Sequence, residues 1–171
     1  MTISSSVAKP KTISNNSSAK NSSNGIIVKG IENCLVRLSK CCNPVPGDDI
    51  LGYITRGRGV SVHRADCVNV INATEEEKNR LIEVKWDENY TSSFSAHLVV
   101  TAINRNNLLL EVSAELSNIH VSLSGINARV VRDSLCVMDL SVEVSNGDQL
   151  DTVIKKLMNV AGVYEVKRTN K

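Results

Sequence analysis

An α+β chain of two small units is what this sequence predicts: a short α/β module, then a βαββαβ unit with a four-stranded antiparallel sheet and both helices on one face. Three observations carry that reading. With 171 residues, 42% of them hydrophobic, the chain can bury one ordinary core or two small ones. Residues 26–86 hold short apolar runs of strand length, broken by Pro44, Pro46 and several glycines. Residues 94–168 instead alternate longer strand-type runs with two segments of helical period.

Residues 1–25 contain eight Ser and four Asn with only scattered apolar positions. Such a segment cannot bury enough surface to offset its ordering entropy, so a disordered tail is expected. From Ile26, GIIVKGIENCLVRLSK predicts two short strands about a turn, the second ending at Leu38. Pro44, Pro46 and Gly47 then exclude helix and predict a rigid turn. ILGYIT and GVSVH flank a tight glycine connection, RGRG, and predict a β-hairpin. The run HRADCVNVINA predicts a helix immediately after it. ATEEEKNR predicts a short charged helix, and LIEVKW a strand in which Ile82, Val84 and Trp86 alternate with Glu83 and Lys85. The polar run DENYTSS marks a boundary, which gives a first module over 26–90 and a second over 91–171.

In the second unit, SAHLVVTAI alternates as a half-buried strand. NNLLLEVSAELS places Leu108, Val112 and Leu116 at helical spacing, with Asn106 or Asn107 as cap. Two long strands follow, IHVSLSGINARVV and SLCVMDLSVEV. The apolar phase of the first shifts from odd to even positions across Ser124 and Gly125, which predicts a β-bulge. NGDQLDTVIKKLMNVAG predicts a helix capped by Asn146 or Asp148, striped by Leu150, Val153, Ile154 and Leu157, and stopped by Gly162. VYEVK closes the unit as a strand.

The formal net charge is +2, with +3 in residues 1–25, +2 in 26–71, −3 in 72–93 and none in 94–171. No apolar run after Met1 resembles a signal peptide. None approaches the ~20 residues of a membrane span. The chain therefore reads as soluble, cytoplasmic and without a membrane partner. Five cysteines in a reducing compartment argue against a disulfide framework and for metal binding or reactivity.

Cys41 and Cys42 stand at one end of the stretch 40–67, and His63 and Cys67 at the other. On a helix His63 and Cys67 would share a face, and the hairpin could bring the vicinal cysteines against it. Thiolate and imidazole are the donors zinc prefers, and four of them would leave no open position, so such an ion would be structural. Two alternatives stand beside it: buried reduced cysteines, or a thiol nucleophile or redox sensor activated by His63 or the arginines. Cys34 and Cys136 fall in apolar runs and are expected in cores. Arg37, Lys40, Arg56, Arg58 and Arg64 all lie in the first module. Arginines on a glycine-rich loop can reach phosphates of structured RNA; the plainer reading is a solvated hairpin tip. No phosphate-binding loop, carboxylate pair or Ser/His/Asp constellation appears, so no enzyme activity is expected of these residues.

The stretch VRLSKCCNPVPGDDILGYITRGRGVSVHRADC closely resembles the zinc-finger-like (RIS) module near the C-terminus of the long Rel/Spo proteins, the (p)ppGpp synthetase/hydrolases of the bacterial stringent response. The βαββαβ segment resembles the ferredoxin-like ACT domain that ends those proteins. The resemblance implies that Cys41, Cys42, His63 and Cys67 are zinc ligands, and that Arg56, Arg58 and Arg64 face ribosomal RNA. It also implies a regulatory piece whose catalytic half, the hydrolase and synthetase domains, would precede it. Amino-acid-binding ACT domains carry a loop D-R-x-G-L-L after the first strand; here Asn104, Arg105, Asn106, Asn107, Leu108 and Leu109 stand in its place. A branched-chain amino-acid site would involve Asn104, Arg105, Asn107 and Leu108, shared across a homodimer through exposed sheet edges.

Overall fold

The computed structural model describes residues 24–31, 33–57 and 59–169, and two sheets organise them. The tail expected over residues 1–25 lies outside the described residues except for its last two, as does Arg58 of the hairpin turn.

The first sheet runs in the order β1 (Ile26–Val28), β5 (Leu81–Trp86), β3 (Ile50–Thr55), β4 (Gly59–Arg64), β2 (Val36–Leu38). β3 and β4 form the expected hairpin, from Ile50 opposite Arg64 to Thr55 opposite Gly59. β2 joins β4 in parallel, and β5 pairs antiparallel with both β1 and β3. Strand alternation turns Ile26, Val36, Val60, Val62 and Val84 into a small core. At the centre of β3, a Cβ on Gly52 would come within 2.7 Å of a Val84 methyl and 2.9 Å of Ile82 and Val60 atoms. The missing side chain is what lets three branched residues converge there. Cys34 lies ahead of β2 and outside any strand, partly buried against this core.

The helix expected over HRADCVNVINA is shorter than its pattern suggests. His63 and Arg64 are the last residues of β4, and α1 spans only Val68–Ile71, with Cys67 at its N-terminal cap position. The ladder explains the difference: His63 lies opposite Leu51 and Arg64 opposite Ile50, so the extended backbone finds its hydrogen-bond partners across the hairpin. α2 (Glu75–Lys78) opens on a capping box made by Thr74 and Glu77.

The second sheet has the order β7 (Ser122–Val130), β8 (Leu135–Val144), β6 (Phe94–Ile103), β9 (Val163–Arg168), antiparallel throughout. With α3 (Leu108–Asn118) and α4 (Gly147–Met158) between strands, this is the expected βαββαβ order. Ala96, Leu98 and Val100 of β6 and Met138, Leu140 and Val142 of β8 are fully covered by Val112 and Leu116 of α3 and Leu150, Val153 and Leu157 of α4. Ser124 is the extra residue of the bulge: Leu123 stands opposite Val142 and Gly125 opposite Ser141. Asn146 caps α4, its Oδ1 accepting from the Gln149 N–H at 2.9 Å. Asn107 holds the cap position of α3, but at φ +65° and without a side-chain cap, so the expected capping bond is not made. No helix among the described residues is long and apolar enough to cross a membrane.

The two cores meet. Val45, from the loop between β2 and β3, is fully buried in the second core, and Leu38 and Trp86 pack against both. The Trp86 ring stands edge-on to Phe94 at 5.5 Å. The Trp86 indole N–H donates to the Asp48 carbonyl at 3.0 Å. Arg168 of β9 reaches back across the boundary, its two terminal nitrogens donating at 2.8 Å to the two carboxylate oxygens of Asp48.

Candidate metal centre

After β2, the Ser39 N–H donates to the Val62 carbonyl and the Asn43 N–H to the Ser39 carbonyl, both at 2.9 Å. The turn so closed carries Cys41 and Cys42 over the end of β4. Cys42 is fully buried, and its sulfur accepts from the Arg64 N–H at 3.4 Å. β4 delivers His63 beside them. Cys67 arrives by a tight turn, its N–H donating to the Arg64 carbonyl at 3.0 Å.

The ligand atoms of Cys41, Cys42, His63 and Cys67 all lie within 4.8 Å of one another and could hold a metal ion. The Cys41 sulfur is 3.3 Å from His63 Nδ1, 3.6 Å from the Cys67 sulfur and 3.9 Å from the Cys42 sulfur. Cys42 Sγ lies 3.9 Å from the same Nδ1. A tetrahedron built from zinc bond lengths has S···S edges of about 3.8 Å and S···N edges of about 3.5 Å. These four edges lie within about 0.4 Å of that tetrahedron, and three sulfurs and one imidazole are a donor set compatible with zinc. All four cysteines and histidines expected to share an ion are brought together, although by strand, turn and helix cap instead of one helix face.

Burial lowers the affinity of His63 for a proton, which keeps the imidazole in the neutral form a metal needs. Burial pushes the Cys42 thiol up to about 12, with the neighbouring Cys41 and Cys67 adding to the rise and the Arg64 N–H opposing it. An activated nucleophile requires the opposite shift, so the thiol-nucleophile alternative has no support at Cys42.

The arginines are arranged less simply. Arg56 is exposed at the hairpin turn. Arg64 sits at the other end of β4, five residues and about 17 Å from the turn. Its side chain is only 14% exposed and is ion-paired to Asp66. The hairpin thus separates Arg56 from Arg64.

In the second unit, Asn104, Arg105, Asn107 and Leu108 all line one open cleft of about 570 Å³, together with Leu109 and Leu110 of α3 and Ala128 and Val130 of β7. Ala128 and Val130 belong to the even apolar phase of β7, but that alternation does not say which surface the strand face lines. Asn107 takes a left-handed backbone, at φ +65°, which Asn tolerates better than most residues. Arg105 folds back along the loop: Nε donates to the Ala161 carbonyl at 3.0 Å, and the two terminal nitrogens donate to the Glu111 carboxylate at 2.8 and 2.5 Å.

Residues 26–87 match the family described as the RelA/SpoT RIS domain, and residues 90–168 match the ACT domain family. A GTP pyrophosphokinase of Streptomyces coelicolor is 40% identical over 86% of this chain and 17% of its own length. One of Haemophilus influenzae is 33% identical over 95% of this chain and 22% of its own. An ACT domain from the GTP pyrophosphokinase of Chlorobium tepidum superposes with 25% identity and a TM-score of 0.41, over 45% of this chain and 99% of that one. The chain spans about a fifth of the length of the curated relatives it matches, in their C-terminal part. With one matched domain following the other along most of its length, the chain belongs to the RelA/SpoT family and carries that family's C-terminal RIS and ACT domains.

Proposed function

We propose that this chain is a non-catalytic regulatory part of a cytoplasmic (p)ppGpp synthetase/hydrolase, docking on ribosomal RNA through its first module (26–90) and reporting to the catalytic half through its ACT domain (91–171). The relatives' name, GTP pyrophosphokinase, motivates the pathway. The observation that carries the docking reading is the four-ligand cluster at the base of an arginine-bearing hairpin. Zinc, when bound, supplies a cross-link among Cys41, Cys42, His63 and Cys67. The residues themselves do the rest: the ladder of β3 and β4 stiffens the hairpin, and Arg56 with Arg58 offers guanidinium groups to phosphates at its turn. Arg64 contributes once Asp66 releases it. Sedimentation with ribosomes tests this across a salt series. Binding weakens steeply with salt, and Arg56→Ala combined with Arg58→Ala weakens it further and flattens the salt slope. Salt-insensitive binding, or none, sinks the reading.

The cleft beside residues 104–108 supports a second reading, in which a branched-chain amino acid binds there. Asn107 preserves the loop conformation that the glycine pattern serves, and the exposed β7 edge next to the cleft suits a homodimer. Calorimetry with valine, isoleucine and leucine decides it; absence of heat up to millimolar ligand removes it. Light scattering over a concentration series tests the dimer.

A further inference from the structure

The loop that supplies two of the four metal ligands is also a structural part of the ACT domain. Cys41 and Cys42 belong to the cluster. Within the next six residues, Val45 is fully buried in the ACT core, the Pro46 carbonyl accepts from the Gly147 N–H at 2.7 Å, and Asp48 receives both arms of Arg168 at 2.8 Å. One of those arms also donates to the Asn43 carbonyl at 2.8 Å. Gly147 is the first residue of α4, where N–H groups have no partner inside the helix. The metal-site loop therefore caps a helix of the neighbouring domain. Pro44 and Pro46 fix two φ angles in this short link, and the Asp48 carboxylate accepts from the Val45 N–H at 2.8 Å, so displacement at one end is transmitted to the other.

We infer that metal occupancy at the cysteine cluster and docking of residues 43–48 on the ACT sheet are energetically coupled, with Arg168 as the positioning residue that joins them. The inference rests on the metal reading of Cys41, Cys42, His63 and Cys67. Coupling between two sites is reciprocal: what the metal does to the docked loop, the docked loop does to metal affinity. Without an ion, Cys42 is held in place by packing and weak sulfur hydrogen bonds, and the loop can trade that position for others; with one, the loop is anchored at both ends.

The test uses the full chain. Zinc affinity is measured by competition with a chromophoric chelator for wild type, Arg168→Gln and Asp48→Asn. Hydrogen exchange is followed in wild type with zinc and after chelation. Loss of the clasp is expected to weaken zinc binding at least about fivefold. Chelation is expected to speed exchange at Gly147 by a similar factor, while Val137, opposite Arg129 on the inner strand β8 and away from the loop, keeps its protection. Unchanged zinc affinity in both variants overturns the coupling. So does exchange at Gly147 that ignores zinc, or acceleration equal at Gly147 and Val137, which marks zinc as a global stabiliser only. If wild type binds no zinc, the metal reading falls and takes this inference with it, an outcome separate from zinc bound without coupling. Should Arg168→Gln fail to fold, the wild-type exchange measurement decides alone.

Discussion

Two residues show how much a single side chain decides here. Cys42 is the most enclosed of the cluster, and its thiol stays protonated without a cation because burial opposes the thiolate. Cys42→Ser removes a sulfur donor at the enclosed corner of the tetrahedron. Even second-sphere changes cost metal sites about 10–100-fold, so this one is expected to reduce zinc affinity by at least about a hundredfold, read as metal content after purification. Asn107 stands at φ +65°, where a Cβ costs roughly 1–2 kcal/mol and Asn tolerates the strain better than most. Asn107→Gly is expected to leave stability within about 0.5 kcal/mol, and Asn107→Ala to lower it by about 1 kcal/mol, in urea unfolding. Equal effects of the two would mean that the loop does not impose the left-handed conformation.

The elements divide into those a local pattern specifies and those the ladder overrules. The phase shift across Ser124 and Gly125 matches the bulge of β7, and Asn146 caps α4 as its chemistry suggests; the helix ends earlier than expected, at Met158 with Asn159 as its C-cap, and Gly162, at φ +86°, serves the turn into β9 instead. His63 falls in both the strand run GVSVH and the helix-type run HRADCVNVINA; pairing with Leu51 across the hairpin holds it extended. Donor type and clustering in sequence were enough to select the four cysteine and histidine positions, but not the backbone that delivers them. The partnership of Asp48 with Arg168 joins positions 120 apart and left no local trace. Gly52 offers a test at this scale. Gly52→Ala forces a methyl against Val60, Ile82 and Val84, and an overpacked site of this kind typically costs about 1–3 kcal/mol. Denaturant unfolding of the full chain reads that loss. The loop before α3 adds a pH effect. The hydrogen bonds from Arg105 hold the Glu111 carboxyl below its usual range. A depressed folded-state value means the contact stabilises above the unfolded value and is lost as pH falls through the folded one. Protection factors of the amides in residues 104–108, taken relative to intrinsic exchange at each pH, should therefore fall below about pH 4, with no change between pH 6 and 8.

At the scale of the whole molecule, the two domains share residues instead of merely touching. Val45, Leu38 and Trp86 would each lose packing if the sheets parted, and the Arg168 and Asp48 side chains, 14% and 16% exposed, would have to be rehydrated separately. Zinc-loaded chain is accordingly expected to unfold in one calorimetric transition, with van't Hoff and calorimetric enthalpies in agreement. Two resolved transitions would mean that the shared contacts are too weak to bind the domains into one cooperative unit.

Trp86 is the only tryptophan in the sequence, and its indole N–H is tied to the Asp48 carbonyl on the very loop that leaves the cysteine cluster. The chain thus contains one tryptophan fluorophore, excitable apart from its three tyrosines and placed between the metal site and the ACT domain with its ring edge-on to Phe94. Its emission needs no label and no second probe to follow whether that loop is seated, so titration of the cluster can be watched in the spectrum of the unmodified protein.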